Sequence, residues 1–182
     1  MTNLILSKLN SLQNLKNDSK FWNITYEQGV FISNLIKVKN PKKVLEIGTS
    51  NGFSTLWLVK ELEESSKITT IEVCKERVGE AKKNFDFCRL DNIECICSNV
   101  YEVLPELKEK YDFVFIDAEQ ENYLKILNLL EKYDLLDEKA IILFDNILNH
   151  NSTKDFPDKV DEKKYYKKII DIGSGMLFLI FN

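Results

Sequence analysis

A chain of 182 residues, 44% hydrophobic and 30% charged, is long enough for one domain with a real core and has the composition of an ordinary globular protein. Its formal net charge of −4 argues against a chain-wide electrostatic grip on nucleic acid, although a local basic patch stays open. No apolar stretch approaches the roughly 20 residues of a membrane-spanning helix, so no membrane association is expected.

The chain opens with MTNLILSKLNSLQNLK (1–16). Its apolar run is brief and no small-residue cleavage site follows, so it reads as an amphipathic helix, not a leader, and a cytoplasmic location is expected. Residues 21–41 read as further helical cover, with Phe31, Leu35 and Ile36 on one face. From residue 42 onward, short apolar runs alternate with helical patterns. Strands are predicted at 42–48, 67–73, 93–98, 111–117 and 139–145, and helices at 53–64, 75–87, 100–110 and 121–136. The polar stretch HNSTKDFPDKVDEKK (150–164) reads as a surface loop holding a short helix. Runs at 167–173 and 176–182, separated by Gly173 and Gly175, read as a closing hairpin. Continuous Val/Ile/Leu/Phe runs imply strands covered on both faces, and repeated strand–helix alternation implies a doubly wound α/β sheet. A single domain is expected, with residues 1–40 as cover and 41–182 as core.

The stretch VLEIGTSNG (44–52) carries the first functional signal. In open α/β sheets, ligands bind beyond the carboxyl ends of the strands, where strand order reverses. A dinucleotide site would use G-x-G-x-x-G to let backbone amides approach a pyrophosphate. Here Gly48 and Gly52 are separated by three residues, and Glu46 stands two positions ahead. A carboxylate there opposes a pyrophosphate and suits a cationic ligand, such as the amino group and sulfonium of S-adenosylmethionine. The donor's carboxylate would use the helix N-terminus and the hydroxyls of Ser50 or Ser54. Glu72 ends the second predicted strand, where an acid can accept both ribose hydroxyls.

At this point the sequence resembles the class I S-adenosylmethionine-dependent methyltransferases, and more narrowly the cation-dependent O-methyltransferases of the catechol and caffeoyl-CoA type. The resemblance runs from TYEQG (25–29) through VLEIGTSNGFSTLWL (44–58), ITTIEV (68–73) and SNVYEVLPEL (98–107), and it continues through FVFIDAEQENY (113–123), IILFDN (141–146) and GSGMLFLI (173–180). It implies a Rossmann-like methyltransferase fold, a mostly parallel seven-stranded sheet with an antiparallel C-terminal hairpin. It places the ribose acid at Glu72, methionine-end contacts at Gly48, Ser50 and Ser54, and adenine contacts near Asn99 and Val100. It places Mg²⁺ ligands at Asp117, Asp145 and Asn146, with Asp117 also beside the cofactor. Two carboxylates and an amide oxygen on neighbouring strand ends, about 4.8 Å apart, make a hard-oxygen set suited to Mg²⁺. Taken without the resemblance, the same residues could simply cap a turn and a helix.

Gln120 stands where the family commonly carries a lysine that is a candidate general base, and Gln cannot remove a proton. The acceptor is expected to be a small hydroxylated molecule. Two alternatives stay open: an RNA-directed enzyme reached through KVDEKKYYKK (159–168), or a non-catalytic protein that binds the cofactor. The N-terminal helix could serve as a lid or as a homodimer contact. Cys74, Cys88, Cys95 and Cys97 include a C-x-C, not a C-x-x-C, and read as reduced thiols in or near the core. The one histidine, His150, is distant from all of them in sequence. Trp22, Tyr26 and Phe156 could line a pocket or serve as packing.

Overall fold

The computed structural model describes residues 2–13, 20–149 and 151–182. The expectations for residues 14–16 and for His150 lie outside the described residues. Two helices come first, α1 (Thr2–Gln13) and α2 (Tyr26–Lys39). Next come β1 (Lys43–Ile47), α3 (Phe53–Val59), β2 (Lys67–Glu72), α4 (Lys75–Cys88) and β3 (Ile93–Cys97). The chain continues with α5 (Val100–Val103), β4 (Tyr111–Ile116), α6 (Tyr123–Lys132) and β5 (Leu136–Phe144). It closes with α7 (Phe156–Lys159), β6 (Tyr165–Ile170) and β7 (Met176–Phe181).

The seven strands lie in the order β3-β2-β1-β4-β5-β7-β6. The first five are parallel, whereas β7 runs antiparallel between β5 and β6. The expected doubly wound sheet with a closing hairpin is therefore present. Strand order reverses between β1 and β4, which opens a crevice at their carboxyl ends.

Period-two alternation divides the core between the two faces. Val44, Phe113, Phe115, Leu143 and Met176 pack against α1, α2 and α3, where Ile5, Ile32 and Ile36 are buried. Leu45, Ile47, Val114, Ile116 and Ile142 face α6, which buries Tyr123, Ile126, Leu127 and Leu130. The buried stripe of α2 is centred on Ile32 and Ile36, with Gly29 and Ser33 beside them. Phe31 and Leu35 are only partly buried, so the expected face is rotated.

Three helices are shorter than the apolar pattern implies. α3 is only seven residues long and ends at Val59. Past α5 the chain tightens into a 3₁₀ turn at Leu104–Glu106, because Pro105 cannot donate to an α-helical ladder. α6 stops at Lys132, and Asp134 then adopts a left-handed φ of 54° that swings Leu136 into the sheet. β5 consequently begins three residues earlier than expected. It carries an irregularity at Lys139, whose φ is 56°.

All four cysteines are free thiols. Cys88 is buried, Cys74 and Cys95 are half-buried, and burial pushes the Cys95 thiol up to about 11. Cys97, at the end of edge strand β3, is exposed and departs from the expected core position.

Candidate active site

A cavity of about 890 Å³ occupies the crevice, within the usual size range of small-molecule sites. Its floor is the loop between β1 and α3. Gly48 has a φ of 107°, and a Cβ there would stand 2.0 Å from the Asp117 carbonyl oxygen. Glycine is thus required both for the turn and for the close approach to the end of β4. The Ser50 N–H and the Cys74 N–H each donate 2.9 Å bonds to opposite oxygens of Glu72. They hold the Glu72 carboxylate at the mouth of β2, where the sequence places the ribose acid. Asn99 caps α5 by accepting from the Tyr101 N–H at 3.0 Å, and Asn99, Val100 and Tyr101 form the adjoining wall.

Glu46 does not line the cavity, contrary to expectation. Strand alternation turns it onto the face covered by α3, where it is fully buried. Its carboxylate accepts from Ser54 Oγ at 2.6 Å and from the hydroxyls of Thr55 and Thr70 at 2.5 Å. Burial nevertheless raises its pKa, with the three hydroxyl bonds opposing that shift. Ser54 does reach the cavity, so Glu46 supports the site from beneath. Gly52 also lies outside the lining. It begins α3 with a φ of 83°, and a Cβ there would strike the Phe85 ring at 2.5 Å. The room for a side chain at Gly52 is thus taken by packing from α4.

A strap formed by residues 20–25 closes one side. Ser50 Oγ donates to the Phe21 carbonyl at 2.7 Å, and Arg77 Nε donates to the Lys20 carbonyl at 2.9 Å. The Arg77 guanidinium stacks 5.4 Å from the Trp22 ring centre. Trp22 lines the cavity but remains 67% exposed. The other two candidate aromatics are packing residues. Tyr26 meets Trp57 edge to face at 5.2 Å, and Phe156 packs edge-on against Tyr123 and Phe144.

Asp117, Asp145 and Asn146 come together at the far end. The ladder pairs Ile116 with Phe144 and is extended by Asp117 N–H to the Ile47 carbonyl and Asp145 N–H to the Ile116 carbonyl. Asp117 and Asp145 therefore end neighbouring strands side by side. Asn146, at a left-handed φ of 60°, donates from Nδ2 to Asp117 Oδ1 at 2.9 Å. Burial and the adjacent Asp145 carboxylate raise the Asp117 pKa well above the usual range. Asp145 Oδ1 accepts from Gln28 Nε2 at 2.5 Å and from Ser174 Oγ at 2.9 Å. Gln28 and Ser174 escaped the sequence reading; the only local hint was a Gln three residues after Thr25, the pattern of a capping box.

Among the described residues, no group of three or more His, Cys, Asp or Glu gathers for a metal. Two like-charged carboxylates and an amide still make a hard-oxygen set that fits a divalent cation such as Mg²⁺ in kind. Among the described lining residues, Arg77 alone is cationic, against Glu72, Asp117, Glu119 and Asp145. Asn51 Nδ2 and the Tyr101 hydroxyl, both on residues that line the cavity, are buried without a hydrogen-bond partner. A cavity of this kind favours a cationic ligand that carries hydrogen-bond acceptors.

The fold is thus an open, doubly wound α/β sheet, with a crevice at its switch point and a fixed acid at the mouth of β2, where sheets of this class bind their ligands. The chain belongs to the O-methyltransferase family, which it matches over residues 2–174. It is 28% identical to a catechol O-methyltransferase of Niastella koreensis over 72% of this chain and 63% of that protein. It is 34% identical to a flavonoid 3',5'-methyltransferase of Vitis vinifera over 71% of this chain and 58% of that one. The chain thus spans about 60% of the length of these two relatives. The fold is also that of an O-methyltransferase from Bacillus cereus solved in complex with SAH. The TM-score is 0.84 at 21% identity, over 99% of this chain and 91% of that one. No helix among the described residues is long and apolar enough to cross a membrane.

Proposed function

We propose that the protein is an S-adenosylmethionine-dependent O-methyltransferase, assisted by Mg²⁺, acting on a small hydroxylated, catechol-like acceptor. The observation that carries this reading is one acid-rich cavity joining the fixed Glu72 carboxylate to the paired Asp117 and Asp145. Glu72 accepts the ribose hydroxyls. Gly48, Ser50 and Ser54 surround the methionine end, Asn99 and Val100 flank the adenine, and Glu46 keeps Ser54 in place. The donor's positive charge matches the excess of carboxylates, and a pyrophosphate would not. The catechol and flavonoid methyltransferases among the relatives support a hydroxylated acceptor.

Asp117, Asp145 and Asn146 would hold the cation, which when bound makes the acceptor hydroxyl more acidic. The chain's own residues orient the reactants. The acceptor oxygen forms its bond to the methyl carbon as the methyl–sulfur bond breaks. The sulfur keeps the electron pair as a neutral thioether, and the hydroxyl proton passes to solvent. Gln120 lines the cavity and takes no proton at any step, which puts the demand for acidity on the cation. The same residue favours a second reading, a protein that binds the cofactor without transferring the methyl group.

Calorimetry with S-adenosylmethionine, followed by methyl-transfer assays on a catechol panel and on bulk tRNA with Mg²⁺ or EDTA, tests the proposal. Expected are donor binding, Mg²⁺-dependent transfer to the diols, and a loss of more than ~100-fold in that transfer for Asp145→Ala. Binding without transfer to any acceptor supports the second reading. Tight binding of a nicotinamide dinucleotide in place of the methyl donor overturns both.

A further inference from the structure

Gln28 is 1% exposed, and both ends of its amide are engaged. Oε1 accepts the Thr25 N–H at 2.8 Å, while Nε2 donates to Asp145 Oδ1 and to Ser174 Oγ at 2.5 and 3.2 Å. Ser174 donates in turn to the same Asp145 oxygen, closing a three-membered network. The network joins segments 117 and 146 residues apart from Gln28 in sequence. The turn between β6 and β7 is moulded to this side chain, since a Cβ at Gly173 would stand 2.6 Å from the Gln28 amide. That turn is also stitched to the chain just past Asp145, through Ile147 N–H to the Gly175 carbonyl and Leu148 N–H to the Ser174 carbonyl.

We propose that Gln28 is a positioning residue for the acceptor end of the site: its amide fixes the orientation of the Asp145 carboxylate and locks it to the N-terminus of α2 and to the β6–β7 turn. A carboxylate on a strand end can rotate about its side-chain torsions, and two donors on one oxygen remove that freedom. The donors come from elements on opposite sides of β5 in the chain, so both must be docked before the orientation is set. The consequence for turnover rests on Asp145 being a cation ligand, as proposed above; the orienting role itself does not.

The informative variant is Gln28→Glu. Glu at the third helical position still accepts the Thr25 N–H, so the cap of α2 survives. The donation to Asp145 and Ser174 is lost, and a second carboxylate faces the first. A crystal structure of this variant is expected to show the Asp145 carboxylate turned from its present position and residues 173–175 displaced. Mn²⁺ binding, followed by electron paramagnetic resonance, is expected to weaken by about 10–100-fold, with S-adenosylmethionine affinity by calorimetry unchanged. Ser174→Ala, which removes only the companion donor, is expected to weaken Mn²⁺ binding in the same direction by less, and it serves if Gln28→Glu does not fold. An unmoved Asp145, or an equal loss of cofactor and Mn²⁺ affinity, overturns the proposal. A wild-type protein that binds no Mn²⁺ overturns the metal assignment alone, and a displaced Asp145 in the variant then still upholds the role of Gln28.

Discussion

Glu46 shows how a residue can belong to a site without touching its ligand. Its carboxylate sits under α3 among three hydroxyls, and burial lifts its pKa above the usual 4.5. A folded-state pKa above the unfolded one means that folding favours the protonated acid. The wild type therefore loses stability as pH rises from the ordinary carboxylate value through the folded one, and bears no such loss below it. Glu46→Gln carries no charge, and its hydroxyl neighbours can both donate and accept. The melting temperature of Glu46→Gln relative to wild type is expected to climb with pH across that window; a gap that stays flat or shrinks would refute the account. The motif around Glu46 was legible in the sequence, but the direction of its side chain was not, because that depends on which helix covers which face. The place of Gly52 outside the cavity lining was hidden for a related reason: its neighbour Phe85 comes from α4. For Gln28 only its place in the capping box was legible, not its contact with Asp145, since its site partners arrive from the far end of the chain.

At the scale of elements, the best local signal is the start of α2. Thr25 Oγ accepts the Gln28 N–H at 3.1 Å and Gln28 reaches back to the Thr25 N–H, a complete capping box. Thr25→Ala is expected to destabilise the fold by about 1 kcal/mol, lowering the melting temperature by about 2–4 °C in a thermal scan. An unchanged midpoint would mean that tertiary packing alone sets the helix start. Among the described residues, element types from β1 onward were read correctly, because apolar runs of β-branched and aromatic residues separate cleanly from 3.6-period patterns. Residues 21–25, expected as helical cover, instead form the strap that precedes α2. Ends were read less well. Helices α3, α5 and α6 all stop short, where a turn, a proline or a left-handed residue takes over while the apolar pattern continues into neighbouring structure.

For the whole molecule, the critical insertion is β7. It slots between β5 and β6, so the strand that carries Asp145 is covered on both edges. Met176, Leu177 and Leu179 are fully buried, and at about 1.5–3 kcal/mol each their loss would rival the stability of an entire domain. A chain ending at Gly175 is expected to show no cooperative unfolding transition by circular dichroism; a sharp transition would show that the five parallel strands suffice. Strand–helix alternation made the parallel half of the sheet legible. The runs at 167–173 and 176–182 made the closing hairpin legible as well, but the insertion of β7 beside β5 is a matter of long-range pairing that local pattern does not carry. The basic run at 159–168 leads from the end of α7 into β6, the edge strand at the opposite margin from β3. There Lys164 pairs with Glu131 and Lys167 with Glu162, as a hydrated outer surface would.

The strap over the cavity is clipped by Ser50 and Arg77 through main-chain oxygens of Phe21 and Lys20. Such clasps are indifferent to the side chains they secure. The side chain of Phe21, which lines the cavity, can therefore be exchanged, reshaping the entrance and its choice of guest, while the main-chain fastening and the scaffold behind it stay intact.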